Sequence, residues 1–315
     1  MLRDLGYSCW SENAKSKGER PMIGEVRQDE IVQQAIRNLF VGSVPERALE
    51  LSSLWNDLNL LFQLLPDNSK DGRLIMDAGS YRYIRFNHRV VRSFWIGAFV
   101  AWEGYRALAE SPDFPRVDLT QFQELLATFE ANLQNDLSDE ASLPAGIPEP
   151  GTLPDINKDP QGRAASELST IAVAWALLHE VRHIRHQREG TSASVDGDTR
   201  EARHREEFSC DEFATRFILE KMQHYSEDKG DDLVLVRRKR ETAIYFALFA
   251  LTLLAKDSWS VSDSHPSVQD RIDAVCRLMG EDRDETAQAV AWAAFASLRE
   301  LWPSAPIIAV CERCA

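Results

Sequence analysis

The residues best suited to chemistry in this chain are the five at positions 179–183, which read HEVRH. On a helix, residues four apart lie one above the other, so the imidazoles of His179 and His183 can converge on one metal ion. Glu180 would then lie beside a water that the metal activates, in position to take its proton. The spacing therefore predicts two metal ligands and a general base, which together favour metal-assisted hydrolysis.

The helix that carries these residues has two different faces. On a helical wheel His179 and His183 fall on a polar side, opposite an apolar stripe formed by Ala174, Leu177, Leu178, Val181 and Ile184. Such a helix is expected to bury the stripe and to present its histidines to a cleft. The alternative is an ordinary amphipathic helix with two histidines on its surface.

A catalytic metal held by two histidines needs a third protein ligand, and a helix downstream offers one. Glu207 and Asp211 are four residues apart and share a helical face, which the small Ala214 continues. We expect Glu207 to be the third ligand and Asp211 to accept a hydrogen bond from the far nitrogen of a ligand histidine, which fixes the ring. The alternative is a solvated acidic face made of Glu206, Glu207, Asp211 and Glu212.

Three further side chains compete for the metal. His186 follows His183 by three residues on a similar face, and Glu189 stands where metzincin peptidases keep their third ligand. That family requires a glycine at position 186, where this chain has histidine, so we rank both residues below Glu207. Cys210 also has a metal-binding side chain, although a small buried cysteine is the commoner case.

Another element lies at positions 264–267, which read SHPS, with Arg271 and Ile272 after it. Pro266 fits the first position of a helix and Ser264 or His265 fits its cap, which is a purely structural interpretation. The functional interpretation places His265 at the cleft, where it donates a hydrogen bond to the oxyanion of a tetrahedral intermediate. The sequence leaves both interpretations open.

Periodicity and turn residues predict a predominantly helical α+β fold around these motifs. Residues 81–86 read as a β-strand in a small hairpin or sheet and are a candidate edge strand for an extended substrate; an internal strand is the alternative. Residues 136–163, rich in proline and glycine, indicate a linker or a flap over the cleft. Helices are predicted over residues 30–39, 45–65, 90–108, 119–133, 166–187, 233–254, 266–279 and 286–301, and from a cap at Asp198 or Thr199 to about residue 224.

The composition indicates a globular protein without a basic surface. Lysine and arginine number 36 against 50 aspartates and glutamates, a formal net charge of −14, which argues against a general binder of nucleic-acid phosphates. Five scattered cysteines suit a reducing compartment, and the first residues lack a signal-peptide pattern. The apolar residues 243–255 are too few to span a bilayer and predict a buried helix. We therefore expect a cytoplasmic protein that binds neither nucleic acid nor a membrane.

Three motifs in this order resemble the gluzincin metallopeptidases: HEVRH, then Glu207 to Asp211, then the SHPS segment with Arg271 and Ile272. The order is similar to that of the HtpX-like peptidases, whose transmembrane helices this sequence does not contain. The chain is more similar to the Lit-like phage-exclusion peptidases. The resemblance covers about residues 165–280.

The resemblance implies a zincin-like core in which His179, His183 and Glu207 bind zinc, Glu180 is the general base and Asp211 supports a ligand. It further implies endoproteolysis of an intracellular protein in phage defence. The Lit-like group suggests elongation factor Tu as the substrate and a phage-derived component as the activator. The predicted function is thus that of a zinc-dependent endopeptidase.

The predicted organisation has four regions. Residues 1–135 are an N-terminal helical region with a short strand that docks a substrate or partner, residues 136–163 are the linker or flap, and residues 164–302 are the zinc metallopeptidase core. Residues 303–315 are a tail in which Cys311 and Cys314 form a lone CxxC pair, expected to be two free thiols.

Two alternative functions compete with the endopeptidase. An ImmA-like regulatory metallopeptidase would share the HExxH motif and cleave a repressor beside a DNA-binding partner, but no helix-turn-helix stands out and the chain is acidic. A non-catalytic module with a structural zinc would have a closed site with a fourth protein ligand, such as Cys210 or His186.

Overall fold

The computed structural model describes residues 30–57, 61–65, 76–78, 83–111, 117–134, 143, 146–193, 197–256 and 258–308. Helix dominates this part of the chain, as the sequence predicts. A 3-10 turn over Pro45–Arg47 joins the first two helices. The helices are α1 (Glu30–Gly42), α2 (Ala48–Asp57), α3 (His88–Ala109), α4 (Thr120–Gln134), α5 (Pro160–Glu189), α6 (Arg200–Leu219), α7 (Met222–Lys229), α8 (Leu233–Leu254), α9 (Val268–Leu278) and α10 (Glu285–Leu301).

Between α2 and α3 the chain forms a small sheet of strands β1 (Leu61–Leu65), β2 (Met76–Ala78) and β3 (Tyr83–Asn87). The strand order is β1-β3-β2, with β1 parallel and β2 antiparallel to β3. Because β3 lies in the centre, the alternative of an internal strand is the one that residues 83–86 adopt, and the edge-strand alternative does not hold for them. The predicted hairpin stays a prediction, since residues 79–82 lie outside the described part of the chain.

The long helices α3, α5, α8 and α10 pack around one core. Apolar side chains from Ile36 to Ile308 belong to a single buried cluster. Helix α8 is its most enclosed member, with residues 243–250 entirely buried, so the predicted buried helix is confirmed. Helices α3 and α8 approach closely at Gly97, where an added Cβ would lie 2.9 Å from the Cβ of Ala250.

Among the described residues, none of the helices combines the length and the apolar character that crossing a bilayer requires.

Several element boundaries differ from the sequence prediction. Residues 61–65 form β1 rather than the end of a helix, because their apolar run LFQLL pairs with β3. The single helix predicted to reach residue 224 is divided at residues 220–221 into α6 and α7.

Helix α9 begins two residues after Pro266, and its cap is Ser267. The cap is therefore neither Ser264 nor His265, so the structural interpretation of that pair is wrong.

The proline- and glycine-rich segment is only partly described. Residues 146–159 have no helix or strand, and residues 135–142 and 144–145 lie outside the described part of the chain. Ile147 is buried in the core, and the indole N–H of Trp95 on α3 donates to the carbonyl of Pro148 at 2.7 Å. These contacts favour a surface connection over a flap for this part of the segment.

Candidate metal centre

Helix α5 carries the HEVRH residues, and local sequence signals fix both of its ends. The Asp159 side chain accepts a hydrogen bond from the backbone N–H of Gly162, and Pro160 occupies the first turn, where its missing N–H costs nothing. At the other end Gly190 has a φ of 69°, a left-handed conformation that glycine adopts without strain. The result is a 30-residue helix with the histidines in its C-terminal half.

Helix α6 packs along α5, and a buried hydrogen bond between the two helices helps to fix their register. The indole N–H of Trp175, one turn before His179, donates to the hydroxyl of Thr215 at 3.0 Å. Thr215 lies one turn after Asp211, so this bond brings the acidic residues of α6 opposite the histidines of α5. Ala214 is completely buried, and its small side chain lets the two helices approach closely.

Three candidate ligands converge on one point. The Nε2 atoms of His179 and His183 lie 3.2 Å apart. The Glu207 carboxylate lies 3.4 Å from each of them, through Oε2 to His179 and through Oε1 to His183. In a tetrahedral site with ligand bonds of about 2.0–2.1 Å, neighbouring donor atoms lie roughly 3.3–3.4 Å apart. The distances between these donor atoms are therefore close to those around a tetrahedral cation, with a different oxygen of Glu207 next to each histidine.

The outer nitrogen of His179 is held by a buried network. Its Nδ1 lies 2.9 Å from Oδ1 of Asp211, a residue with no exposed surface. Arg271 on α9 donates to both oxygens of that carboxylate, at 2.8 and 2.7 Å. Burial acts to raise the pKa of Asp211, but Arg271 outweighs it and lowers that pKa, so the carboxylate is charged.

The outer nitrogen of His183 is held by a different carboxylate. Its Nδ1 lies 2.7 Å from Oε1 of Glu206. The Glu206 carboxylate also accepts hydrogen bonds from the backbone N–H of Ala193 and, at 3.2 Å, from the hydroxyl of Ser192. Each histidine thus has its own acidic partner on the far side of the ring, which leaves both Nε2 atoms directed at the shared point.

The surrounding carboxylates create a field that favours positive charge at this point. Burial acts to lower the pKa of His179, but hydrogen bonds with Asp211 and Glu207 outweigh it and raise the pKa. The pKa of His183 is likewise raised against burial, by hydrogen bonds with Cys210, Glu206 and Glu207. A bound cation would meet the same field, so both the charge and the donor atoms of the site fit a metal ion.

Cys210 and Glu180 complete the immediate surroundings. Cys210 is buried, and its Sγ belongs with His179 and His183 to a cluster of metal-binding atoms within 4.8 Å of one another. Burial raises the pKa of this thiol to about 11, and the carboxylates of Glu207 and Glu180 add to the increase. Glu180 follows His179 directly on α5, and its side chain is only half-buried.

His265 reaches the site from an exposed loop. Its Nε2 lies 3.6 Å from Oε1 of Glu207, and its Nδ1 lies 2.8 Å from the hydroxyl of Ser264. The loop is tied to α6, because Arg203 donates to the carbonyl of Asp263 at 2.8 Å. More than half of the His265 side chain is exposed, so its ring is accessible from the cleft.

The two competing ligands from α5 make contacts with other residues instead. His186 has its Nδ1 2.8 Å from the hydroxyl of Thr191 and its Nε2 3.1 Å from that of Ser209. Glu189 is exposed and forms an ion pair with Arg182 at 3.0 Å. Both of these residues therefore have roles that fix the end of α5, and neither belongs to the converging donors.

Two residues of the site were not assigned a role from the sequence. Arg271 belongs to the motif that begins at Ser264, yet nothing in its type or spacing identifies Asp211, 60 residues earlier, as its partner. Glu206 was assigned only to an acidic face. The available signal was its position beside Glu207, since neighbouring helix residues point about 100° apart and can serve different histidines.

A separate cavity of about 250 Å³ lies between α5, α7 and α8. Ile171 and Tyr225 contribute to its walls. Two of its charged groups, Arg163 and Lys239, both bond to a third, Glu167. None of the residues of the candidate metal centre lines this cavity, so the chemistry of the site does not depend on it.

Comparison with known proteins agrees with a peptidase. The model of the family described as Peptidase U49 matches residues 84–294, more than half of the chain. The match begins in β3 and contains every residue of the candidate metal centre, so it extends well beyond residues 165–280. No curated protein and no solved structure matches the chain. The chain therefore belongs to the peptidase U49 family.

Proposed function

We propose that this peptidase is a zinc-dependent endopeptidase whose metal centre is built by α5 and α6. The observation that carries the proposal is the convergence of three donors. The Nε2 atoms of His179 and His183 are 3.2 Å apart, and the Glu207 carboxylate is 3.4 Å from each. Glu180, the residue after the first histidine, supplies a base on the same helix.

Zinc fits this donor set better than the other common divalent ions. Calcium and magnesium prefer oxygen ligands alone, whereas two imidazoles and one carboxylate are a known ligand set of catalytic zinc. His179, His183 and Glu207 would hold the ion. When bound, zinc supplies Lewis-acid chemistry that acidifies water and polarises a peptide carbonyl.

In the proposed reaction Glu180 takes a proton from the attacking water and later gives it to the leaving amine. Asp211 and Glu206 keep the imidazoles in the tautomer that carries hydrogen on Nδ1. In the proposed tautomer of His265, Nδ1 accepts from the Ser264 hydroxyl 2.8 Å away and Nε2 carries the hydrogen that is donated to the oxyanion.

An extended substrate segment has an edge strand available near α5. Gln187, in the last turn of α5, donates to the carbonyl of Ala78 at 3.4 Å, which joins β2 to the helix of the metal centre. Because β2 is an edge of the sheet, we propose that β2 rather than β3 pairs with the substrate backbone.

The resemblance to Lit-like peptidases supports a more specific biological role. In this role the enzyme acts in the cytoplasm in phage defence and cleaves elongation factor Tu after activation by a phage-derived component. The acidic composition supports a protein rather than a nucleic acid as the target.

The test compares the zinc-loaded wild type with Glu180→Gln and with the control Glu189→Gln. Glu189 lies on the same helix but pairs with Arg182 at the surface. We expect Glu180→Gln to keep its zinc while cleavage of elongation factor Tu added to an extract of phage-infected bacteria, or of the proteins of that extract, falls about 10²–10⁴-fold. The control should cleave like the wild type. If Glu180→Gln keeps both zinc and cleavage, the proposed mechanism is wrong.

Cys210 supports one competing function, a module in which the metal is structural. Its Sγ lies within 4.8 Å of the ligand atoms of both histidines, and a fourth protein ligand would close the site to water. Cys210→Ser distinguishes the two functions. An endopeptidase with an open position should keep its zinc affinity and its cleavage, whereas a closed structural site should lose much of its affinity.

A further inference from the structure

Glu206 contacts a different ring nitrogen of His183 from the one that its neighbour Glu207 contacts. Its Oε1 lies 2.7 Å from Nδ1 of His183, on the far side of the ring from the metal point. The side chain is 9% exposed, so this contact is shielded from water. A hydrogen bond between a buried carboxylate and a ring nitrogen fixes both the tautomer and the rotation of the imidazole.

The carboxylate of Glu206 is itself held by the segment that follows α5. It accepts the backbone N–H of Ala193 and the hydroxyl of Ser192. This segment turns back toward α6 after Gly190, whose φ of 69° ends the helix. Glu206 therefore joins three parts of the site: α6, the loop after α5 and the ring of His183.

The two histidines have partners of different character. Asp211, the partner of His179, is bonded through both oxygens to the guanidinium of Arg271. Glu206 is held by a backbone N–H and a hydroxyl, which are uncharged donors. The carboxylate behind His179 is thus ion-paired, whereas the carboxylate behind His183 is held by uncharged donors.

We propose that Glu206 is a positioning residue for the metal centre. It acts through His183 by holding hydrogen on Nδ1, so that the lone pair of Nε2 faces the metal. The proposal rests on the proposed function, because His183 must be a metal ligand. Loss of such a partner typically weakens metal affinity about 10–100-fold, because the ring can then rotate and exchange tautomers.

The experiment measures zinc affinity by competition with a chelator for full-length Glu206→Ala, Glu206→Gln, Glu212→Ala and wild type. Glu212 is the matched control, since it lies on the same helix and pairs with Arg216 at the surface. We expect Glu206→Ala to bind zinc about 10–100-fold more weakly and Glu212→Ala to stay within about twofold. Glu206→Gln should be intermediate, because its amide oxygen still accepts from Nδ1 but carries no charge.

Two spectroscopic readouts separate positioning from a general loss of structure. The absorption spectrum of the cobalt-substituted protein and the ¹⁵N shifts of the His183 ring should change in both Glu206 variants and not in Glu212→Ala. If Glu206→Ala does not fold, the affinity and ring shifts of Glu206→Gln decide the question.

Unchanged affinity and unchanged ring shifts in the Glu206 variants, beside a wild type that binds zinc, would overturn the positioning role alone. A wild type that binds no zinc would overturn the proposed function as well.

Discussion

Arg271→Met should strongly destabilise the metal-free protein, because it leaves the carboxylate of Asp211 buried without its cation. Asp211 has no exposed side-chain surface and Arg271 only 8%. Arg271 donates to Oδ2 at 2.8 Å and to Oδ1 at 2.7 Å, and the substitution removes both bonds. Methionine keeps much of the volume of the arginine stem, so the main loss is electrostatic.

The expected loss of stability in Arg271→Met follows from these two bonds. Hydrogen bonds to a charged group each contribute about 1.5–3 kcal/mol, and breaking a buried ion pair from one side costs about 3–5 kcal/mol. His179 still contacts Oδ1 at 2.9 Å, and Asp211 can take up a proton, so part of the loss is relieved. We expect the free energy of unfolding to fall by about 3 kcal/mol.

The assay is urea denaturation of the chelator-treated protein, which excludes the stability that metal binding adds. Arg277→Met on the same helix is the control, because Arg277 is exposed and its replacement should change stability by no more than about 0.5 kcal/mol. The double variant Asp211→Asn with Arg271→Met should recover part of the loss, since no buried charge is left unpaired. If Arg271→Met costs no more than Arg277→Met, the assignment of a buried ion pair is wrong.

Three further changes test other parts of the molecule. Burial raises the pKa of Glu241 from 4.5 to about 7, so the stability contributed by its neutral form is fully present below 4.5 and lost as the pH rises through about 7. In urea titrations the free energy of unfolding of Glu241→Gln should therefore exceed that of the wild type by about 2 kcal/mol at about pH 8.5 and by less at about pH 5. A difference that does not change with pH would contradict this. His265→Ala should lower kcat about 10²–10³-fold in the cleavage assay with an unchanged zinc content, whereas an unchanged kcat would exclude His265 from the reaction. Gly97→Ala should lower the free energy of unfolding by about 1–2 kcal/mol, because its Cβ would lie 2.9 Å from that of Ala250; a stabilised variant would show that α3 and α8 can separate without cost.

The sequence predicts the helices well where a cap and a 3.6-residue period coincide. The predicted helix over residues 233–254 has the same bounds as α8, because Asp232 caps its first turn and apolar residues repeat along its length. The run LFQLL in β1 has no such signal. Five mostly apolar residues fit a helix or a strand, and the choice depends on pairing with β3, which lies outside the segment itself.

The same limit applies within the metal centre. Spacing along one helix is visible in a sequence, so the pair His179 and His183 and the pair Glu207 and Asp211 can each be assigned to a face. The relation between the two helices is not visible, because it depends on packing at Ala214 and on the bond from Trp175 to Thr215. For this reason the roles of Glu206 and Arg271 emerge only from the structure.

Only a few segments of the described chain supply the residues of the candidate metal centre. Helix α5 contributes the two histidines and the proposed base, and helix α6 contributes the candidate third ligand and both outer carboxylates. Helix α9 then supplies Arg271, which neutralises the deeper of these carboxylates. Because α6 presents Glu206, Glu207 and Asp211 within two turns, a shift of α6 along α5 would disturb the ligand and both ring orientations together. The buried bond from Trp175 to Thr215, at 3.0 Å, is one of the contacts that hold this register.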